Sequence, residues 1–383
     1  MNRCRSLVGL TLLAACCAPL AGSGQPPAGA KGPTEARLRE LLEPIRKKHD
    51  LPALGAAVVN SKGVVALAAV GVRKRGEDVP VTPEDRFHLG SDTKAMTATM
   101  IASLVESGKL TWETTLEKAF PELAPAMAAE LRTVTLVQLL THHAGLRRDL
   151  KGGWRQIPRK GTTREQRKLA LKLALAEKPV HAPGTKYLYS SLGYMAAGAM
   201  AEEAAGEAWE TLMEKRLLKP LDITTAGYGA MGRPGKVEQP WGHDEKGRPV
   251  EPGPLADNPP VMGPAGTVHC SLGDWGKFIA DQLRGARGER ALLRPETYKK
   301  LHTSPFADEF YTTGGWGGRA KSRRAAGLVL FHDGSNTMNY ATAWLAPRRD
   351  FAVLVVANQG MPAGEESCHE AREQILKRFL PRE

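Results

Sequence analysis

The sequence predicts an α+β fold: one antiparallel β-sheet built from both chain ends, flanked by helices, with a mostly helical region inserted over roughly residues 109–230. Three observations predict it. Strand-like apolar runs lie near the start, Ala53 to Asn60 and Val64 to Val70. Strand-like runs return in the last third, Gly327 to His332, Tyr340 to Ala346 and Phe351 to Asn358. Helical spacing dominates between them. Pairing strands from both ends in one sheet, with helices laid on it, is the simplest way to bury all these apolar faces.

The chain opens Met-Asn-Arg-Cys-Arg and runs uncharged from Ser6 to Ala15. Basic residues followed by about ten apolar ones describe an export signal over residues 1–15. The run is too short to span a bilayer, which takes ~20 apolar residues. Leu13-Ala14-Ala15-Cys16 resembles the lipobox of bacterial lipoproteins, which implies a lipidated Cys16 as the mature first residue. The alternative is ordinary cleavage near Ala21-Gly22. Residues 16–33, rich in Pro and Gly, read as a flexible tether. Residues 34–383 then form one folded domain, long enough for a large core.

The elements follow in order. Leu38, Leu41, Leu42 and Ile45 keep helical spacing after Thr34. Ser61-Lys62-Gly63 joins the first two strands as a hairpin turn. Met96, Met100, Ile101, Leu104 and Val105 predict a helix that Gly108 and Lys109 end. Prolines at 121, 125, 158, 179, 183 and 220 break the helical insert, and residues 230–264 are loop-rich with eight prolines. A helix runs from Leu272 to Leu283, Arg348-Arg349-Asp350 makes the last hairpin, and Ala371, Ile375, Leu376 and Phe379 mark a closing helix.

The formal net charge is +12. From Arg147 to Lys172 there are ten Lys/Arg against Asp149 and Glu165, and Arg319, Lys321, Arg323 and Arg324 form a second cluster. Such a face is solvated or drawn to anionic envelope polymers. No nucleic-acid module accompanies it, so nucleic acid is not an expected partner. Of the five cysteines only Cys270 and Cys368 fall in the domain, and both are expected as free, buried thiols.

Ser91-Asp92-Thr93-Lys94 is the only Ser-x-x-Lys in the chain. Residues three apart share a helix face, so Lys94 can stand beside the Ser91 hydroxyl. A serine is a weak nucleophile alone, and a neighbouring amine of lowered pKa can take its proton. Other stretches bear on it. His142-His143-Ala144-Gly145-Leu146 follows an apolar helix, Val134 to Leu140. Pro183-Gly184-Thr185 leads to Tyr189-Ser190-Ser191, and His332-Asp333-Gly334-Ser335 ends a strand. No His/Asp cluster has zinc-ligand spacing, and no metal or other cofactor is expected.

With these stretches in order, the chain resembles the serine β-lactamase and D-alanyl-D-alanine carboxypeptidase superfamily, above all its class C-like branch, which also contains esterases. Ser91-x-x-Lys94 resembles the nucleophile motif. Tyr189-Ser190-Ser191 stands where that family has Tyr-x-Asn, and His332-Asp333-Gly334 resembles the His-x-Gly form of the Lys-Thr-Gly strand motif. The resemblance implies a β-lactamase/transpeptidase-like fold. It implies Ser91 as nucleophile, Lys94 as its base and Tyr189 as proton shuttle, a phenolate if Lys94 lowers its pKa. Backbone N–H groups of Ser91 and Ser335 would form the oxyanion hole. Ser191, Gly334 and His332 would contact substrate, with His332 a polar, even charged, group at the site edge. His142 and His143 read as helix-end packing residues. Gly314-Gly315-Trp316-Gly317-Gly318 reads as a tight strand near the site, and Trp241-Gly242-His243 as loop structure.

One departure stands out. Ser191 replaces the asparagine, whose amide can hold the lysine with its oxygen and give N–H to a substrate amide. The shorter hydroxyl favours an ester substrate or slow turnover. The expectation is therefore an exported serine hydrolase on the periplasmic face of the envelope, acting as a monomer and touching membrane only through a lipid anchor. Its substrate is a β-lactam, a D-alanyl or other cell-wall peptide, or a small ester or amide. The alternative is a catalytically poor relative that binds cell-wall peptides or a partner protein.

Overall fold

The computed structural model describes residues 32–158, 160–306 and 310–381. The export signal, Cys16 and nearly all of the tether lie outside the described residues.

Thr34 caps the first helix, α1 (Glu35–Lys48), its hydroxyl accepting from Arg37 N–H at 3.3 Å. Strands β1 (Ala53–Asn60) and β2 (Gly63–Gly71) form the expected hairpin, and β3 (Arg86–His88) leads into α2 (Thr93–Glu106). The insert holds α3 (Leu116–Ala119), α4 (Ala129–Arg132), α5 (Leu136–Leu140), α6 (Thr163–Leu175), α7 (Ser191–Ala205) and α8 (Trp209–Met213). Short strands β4 (Gly227–Tyr228), β5 (Gly242–His243) and β6 (Pro249–Val250) follow, then α9 (Gly263–Gly266), β7 (Val268–Ser271), α10 (Leu272–Ala286) and α11 (Pro295–Leu301). The chain closes with β8 (Gly317–Ser322), β9 (Gly327–Ser335), β10 (Tyr340–Ala346), β11 (Phe351–Ala357) and α12 (Ala363–Phe379).

The main sheet runs β2-β1-β11-β10-β9-β8, every pair antiparallel. The two chain ends meet at its centre, where Leu54 faces Ala357 and Val58 faces Val353. Alternation along each strand separates two cores. Leu54, Ala56 and Val58 pack with Val353 and Val355 against Leu38 and Leu42 of α1 and Ile375 of α12. Ala53, Ala57 and Val59 join the core of α10, α2 and the insert. A small sheet β3-β7-β4 props the start of α2.

Three expectations need correction. The insert is less helical than its pattern: residues 141–158, 160–162 and 176–190 are loops, apart from a 3₁₀ turn at Trp154–Gln156. Pro158, Pro179 and Pro183 lie in them, and proline withholds a backbone donor and blocks helix. The strand expected to end at His332 continues through Ser335. The glycine run at 314–318 is a turn that becomes the edge strand β8 only at Gly317. Cys270 and Cys368 are free and buried, as expected. His243 ties backbone together, accepting from Arg75 N–H at 3.0 Å and lying 2.7 Å from Asn358 O.

Candidate active site

Ser91 occupies a 3₁₀ turn, Gly90–Asp92, directly before α2. Two glycines let that turn lie against β9. Gly90 has φ +51°, and a Cβ there would stand 2.3 Å from Ser335 N. A Cβ on Gly334 would stand 2.0 Å from Leu89 O and 2.7 Å from Ser91 N. Only bare backbone fits this approach. It brings the Ser91 and Ser335 amides to one place. The Ser335 side chain turns away, bonding Asn339 O at 2.8 Å.

Lys94 lies within the first turn of α2 and is fully buried. Its Nζ donates to Ser91 Oγ at 3.0 Å and to Ala265 O at 2.7 Å. The faces of Tyr189 and Tyr194 lie 4.9 and 5.6 Å from Nζ, ring centroid to nitrogen. No carboxylate meets it within ion-pair distance among the described residues. Burial, then the charge of Arg148, pulls the Lys94 amine down to about 7. The adjacent Asp92 is buried with both carboxyl oxygens unpartnered, and burial with repulsion from Asp333 holds it well above the usual carboxylate range.

Tyr189 sits just ahead of α7, with its ring beside Lys94 Nζ and the Ser91 hydroxyl near enough to act on its phenol. Ser190 is the cap of that helix: its Oγ accepts from Gly193 N–H at 3.0 Å and donates to Arg147 O at 2.6 Å. Ser191 N–H donates to Arg148 O at 2.9 Å, and Ser191 itself is buried. The exposed Arg148 guanidinium stands 6.0 Å from the Tyr189 ring. Burial pushes the Tyr189 phenol above its ordinary value, although part of the residue is exposed, so the resting group is a phenol.

His332 sits on β9. It is buried, and its Nε2 lies 3.0 Å from Tyr311 Oη. Burial, then Lys94, lowers it to about 4, so it is neutral near pH 7. The next residue on β9, Asp333, turns to His369 at 3.2 Å and Arg372 at 3.7 Å on α12. Alternation thus gives one strand a neutral histidine beside the site and a paired carboxylate behind it.

His142 packs as expected, but its neighbour is Tyr189. Its backbone is left-handed at φ +63°, its Nδ1 accepts from Ser190 N–H at 3.0 Å, and its ring lies 4.3 Å from Tyr189 and 4.5 Å from Tyr311. His143 stacks on Phe306 at 3.6 Å. Sequence reasoning gave Tyr311 no place; its aromatic neighbour Phe310 was the only local signal. Among the described residues no cluster suits a metal ion, and no helix is long and apolar enough to cross a membrane.

An antiparallel sheet with helices on both faces, and a serine–lysine pair where α2 meets β9, define a β-lactamase-like fold. The chain belongs to the Beta-lactamase family, whose model matches residues 38–377. It is 28% identical over 344 residues to penicillin-binding protein 4 of Amycolatopsis lactamdurans, covering 85% of this chain and 86% of that one. It is 25% identical over 277 residues to a β-lactamase of Pseudomonas fluorescens, covering 72% of each. The fold matches the D-alanine carboxypeptidase AmpC of Burkholderia cenocepacia with TM-score 0.71 at 21% identity, over 89% of this chain and 98% of that one.

Proposed function

We propose that this chain is an exported serine hydrolase that transfers an acyl group to water through Ser91, with small esters favoured over β-lactams and D-alanyl peptides. The observation that carries the reading is the uncompensated Lys94 amine, 3.0 Å from Ser91 Oγ and lowered to about 7. An amine with that pKa is about half unprotonated near neutrality, and that fraction can accept the serine proton. Ser91 Oγ then bonds to the substrate carbonyl carbon, and its proton passes to Lys94. The carbonyl oxygen becomes an oxyanion facing the Ser91 and Ser335 amides. Tyr189, a phenol beside Ser91, hands a proton to the leaving group as the tetrahedral centre collapses and recovers one from the water that later cleaves the acyl-enzyme, while Lys94 returns the serine proton to Ser91 Oγ as the acid is released.

Ser191 supports the preference for esters. An alkoxide leaves with less proton delivery than an amine, and a serine at the asparagine position offers a substrate amide less. Names of relatives that handle penicillins or D-alanine agree with the acyl-enzyme but do not choose among acyl donors. The Cys16 lipobox supports envelope anchoring.

Intact-mass measurement of protein purified from membranes tests the whole reading. Exposure to a p-nitrophenyl ester and, separately, to a chromogenic β-lactam is expected to add one acyl group, short-lived for the ester and longer-lived for the β-lactam. Ser91→Ala is expected to show neither adduct. The unreacted mass is expected to be that of a chain beginning at lipidated Cys16. Adducts that persist in a folded Ser91→Ala protein would overturn the nucleophile, and a mature start after Ala21 would overturn the anchor.

A further inference from the structure

We propose that His88, Asp257 and Asn336 form a buried relay that positions the oxyanion hole, holding the Ser91 amide and the Ser335 amide at a fixed spacing. This rests on the acyl-transfer reading above. His88 closes β3, two residues before Gly90. Gly90 N–H donates to His88 Nδ1 at 3.0 Å, which makes Nδ1 the unprotonated nitrogen and leaves the ring proton on Nε2. His88 Nε2 lies 2.9 Å from Asp257 Oδ1. The same Oδ1 accepts from Asn336 Nδ2 at 2.9 Å. Asn336 directly follows Ser335. One carboxylate oxygen therefore joins the residue before Ser91 to the residue after Ser335.

The three side chains are buried, with exposures of 1% for His88, 4% for Asp257 and 3% for Asn336. Asn336 is fixed on its other side too, its Oδ1 accepting from Met338 N–H at 3.2 Å and Asn339 Nδ2 at 3.1 Å. The loop that carries Asp257 is itself held: Asn258 Nδ2 donates to Gly266 O at 2.9 Å, and Arg167 Nε donates to Val261 O at 3.2 Å.

The His88–Asp257 contact is bent. Nε2 is close to Oδ1 but finds no acceptor in line with its N–H, and Asp257 Oδ2 is buried without a hydrogen bond. Contacts of this kind in a free enzyme tighten when the transition state forms. A tighter contact here holds the Gly90–Ser91 peptide and the end of β9 more firmly at that spacing as negative charge grows on the substrate oxygen. The relay touches neither substrate nor Ser91 Oγ, so its members are positioning residues.

The test compares kinetics with binding of a phenylboronic acid, which bonds to Ser91 as a tetrahedral adduct and places an oxygen in the hole. Loss of one oxyanion-hole donor costs about 10²–10³ in kcat, and a displaced donor should cost about tenfold. Asp257→Ala is expected to lower kcat for the p-nitrophenyl ester by that factor, leave KM within about twofold, and weaken boronate binding in step with kcat/KM. Asp257→Asn keeps an oxygen where both donors converge and is expected to restore most of the loss. If Asp257→Ala does not fold, Asn336→Ala removes the donor on the β9 side alone and should show the same linked losses. A folded Asp257→Ala or Asn336→Ala with parental kcat and boronate affinity overturns the relay. A parental protein that takes neither ester nor boronate on Ser91 overturns the acyl-transfer reading instead.

Discussion

Two cations are fully buried among the described residues, Arg167 on α6 and Lys94 on α2, and their surroundings are opposite. Arg167 is matched on every side. Its guanidinium meets Glu202, Glu210 at 2.8 Å, and the carbonyls of Val261 at 3.2 Å and Pro260 at 3.4 Å. Lys94 meets a hydroxyl, a single carbonyl and two ring faces, with the positive Arg148 nearby. Burial alone therefore does not mark a functional charge. Burial without a counter-charge does, because the desolvated group gives up its proton at a pH where the cell can use it. The matched cation holds a loop in place; the unmatched one is chemically available.

The sharpest way to break this contrast is to remove each cation in turn. Lys94→Met is expected to lower the acylation rate by about 10²-fold or more, as for a lost general base, with the melting temperature held or raised. Arg167→Met strands Glu202 and is expected to cost about 3–5 kcal/mol of stability, read from denaturant unfolding. If Lys94→Met destabilises as much as Arg167→Met, the distinction fails. A smaller effect is expected at Ser191. An asparagine there should raise β-lactam turnover relative to ester turnover by several-fold, about the effect of one buried hydrogen bond of ~1 kcal/mol. An unchanged ratio would remove Ser191 from the account of substrate preference.

The smallest effect concerns pH. Only the neutral amine of Lys94 accepts a proton, so the acylation rate should rise with pH and level off above about 7. Arg148 disfavours the charged amine. Arg148→Gln should therefore let Lys94 hold its proton longer and move the rise to higher pH. Stopped-flow acylation across pH 5–9 checks this, and a shift to lower pH contradicts it.

Much of this arrangement was legible from residue order, and the reasons are local. β1 and β10 were read to the residue because apolar runs stop at turn formers, Asn60-Ser61-Lys62-Gly63 and Pro347-Arg348-Arg349-Asp350. The Ser91–Lys94 pair was legible because a helix fixes the distance between residues three apart. β8 was not, since Gly317-Gly318-Arg319-Ala320-Lys321-Ser322 is a largely exposed edge strand with almost no apolar pattern. The resting states of Tyr189 and His332 stayed open in residue order because burial, which sets them, is a property of the assembled core. Tyr311, which bonds His332, and the pairing of His88 with Asp257 had no local signature, since the partners come from distant parts of the chain and meet only in the fold.

The contact of Gly90 and Gly334 has a consequence for the order in which the protein becomes competent. The proposed nucleophile and its base come from the first third of the chain, and the second amide of the proposed hole comes from a strand near its end. That strand is set in place by β10 and β11, and β11 by β1. A nascent chain can therefore form the Ser91–Lys94 helix early, since helices need only local contacts, yet lacks half of the proposed oxyanion hole until the sheet has closed. Reactivity arrives with the last strands, so an unfinished polypeptide has little means of acylating itself or its neighbours.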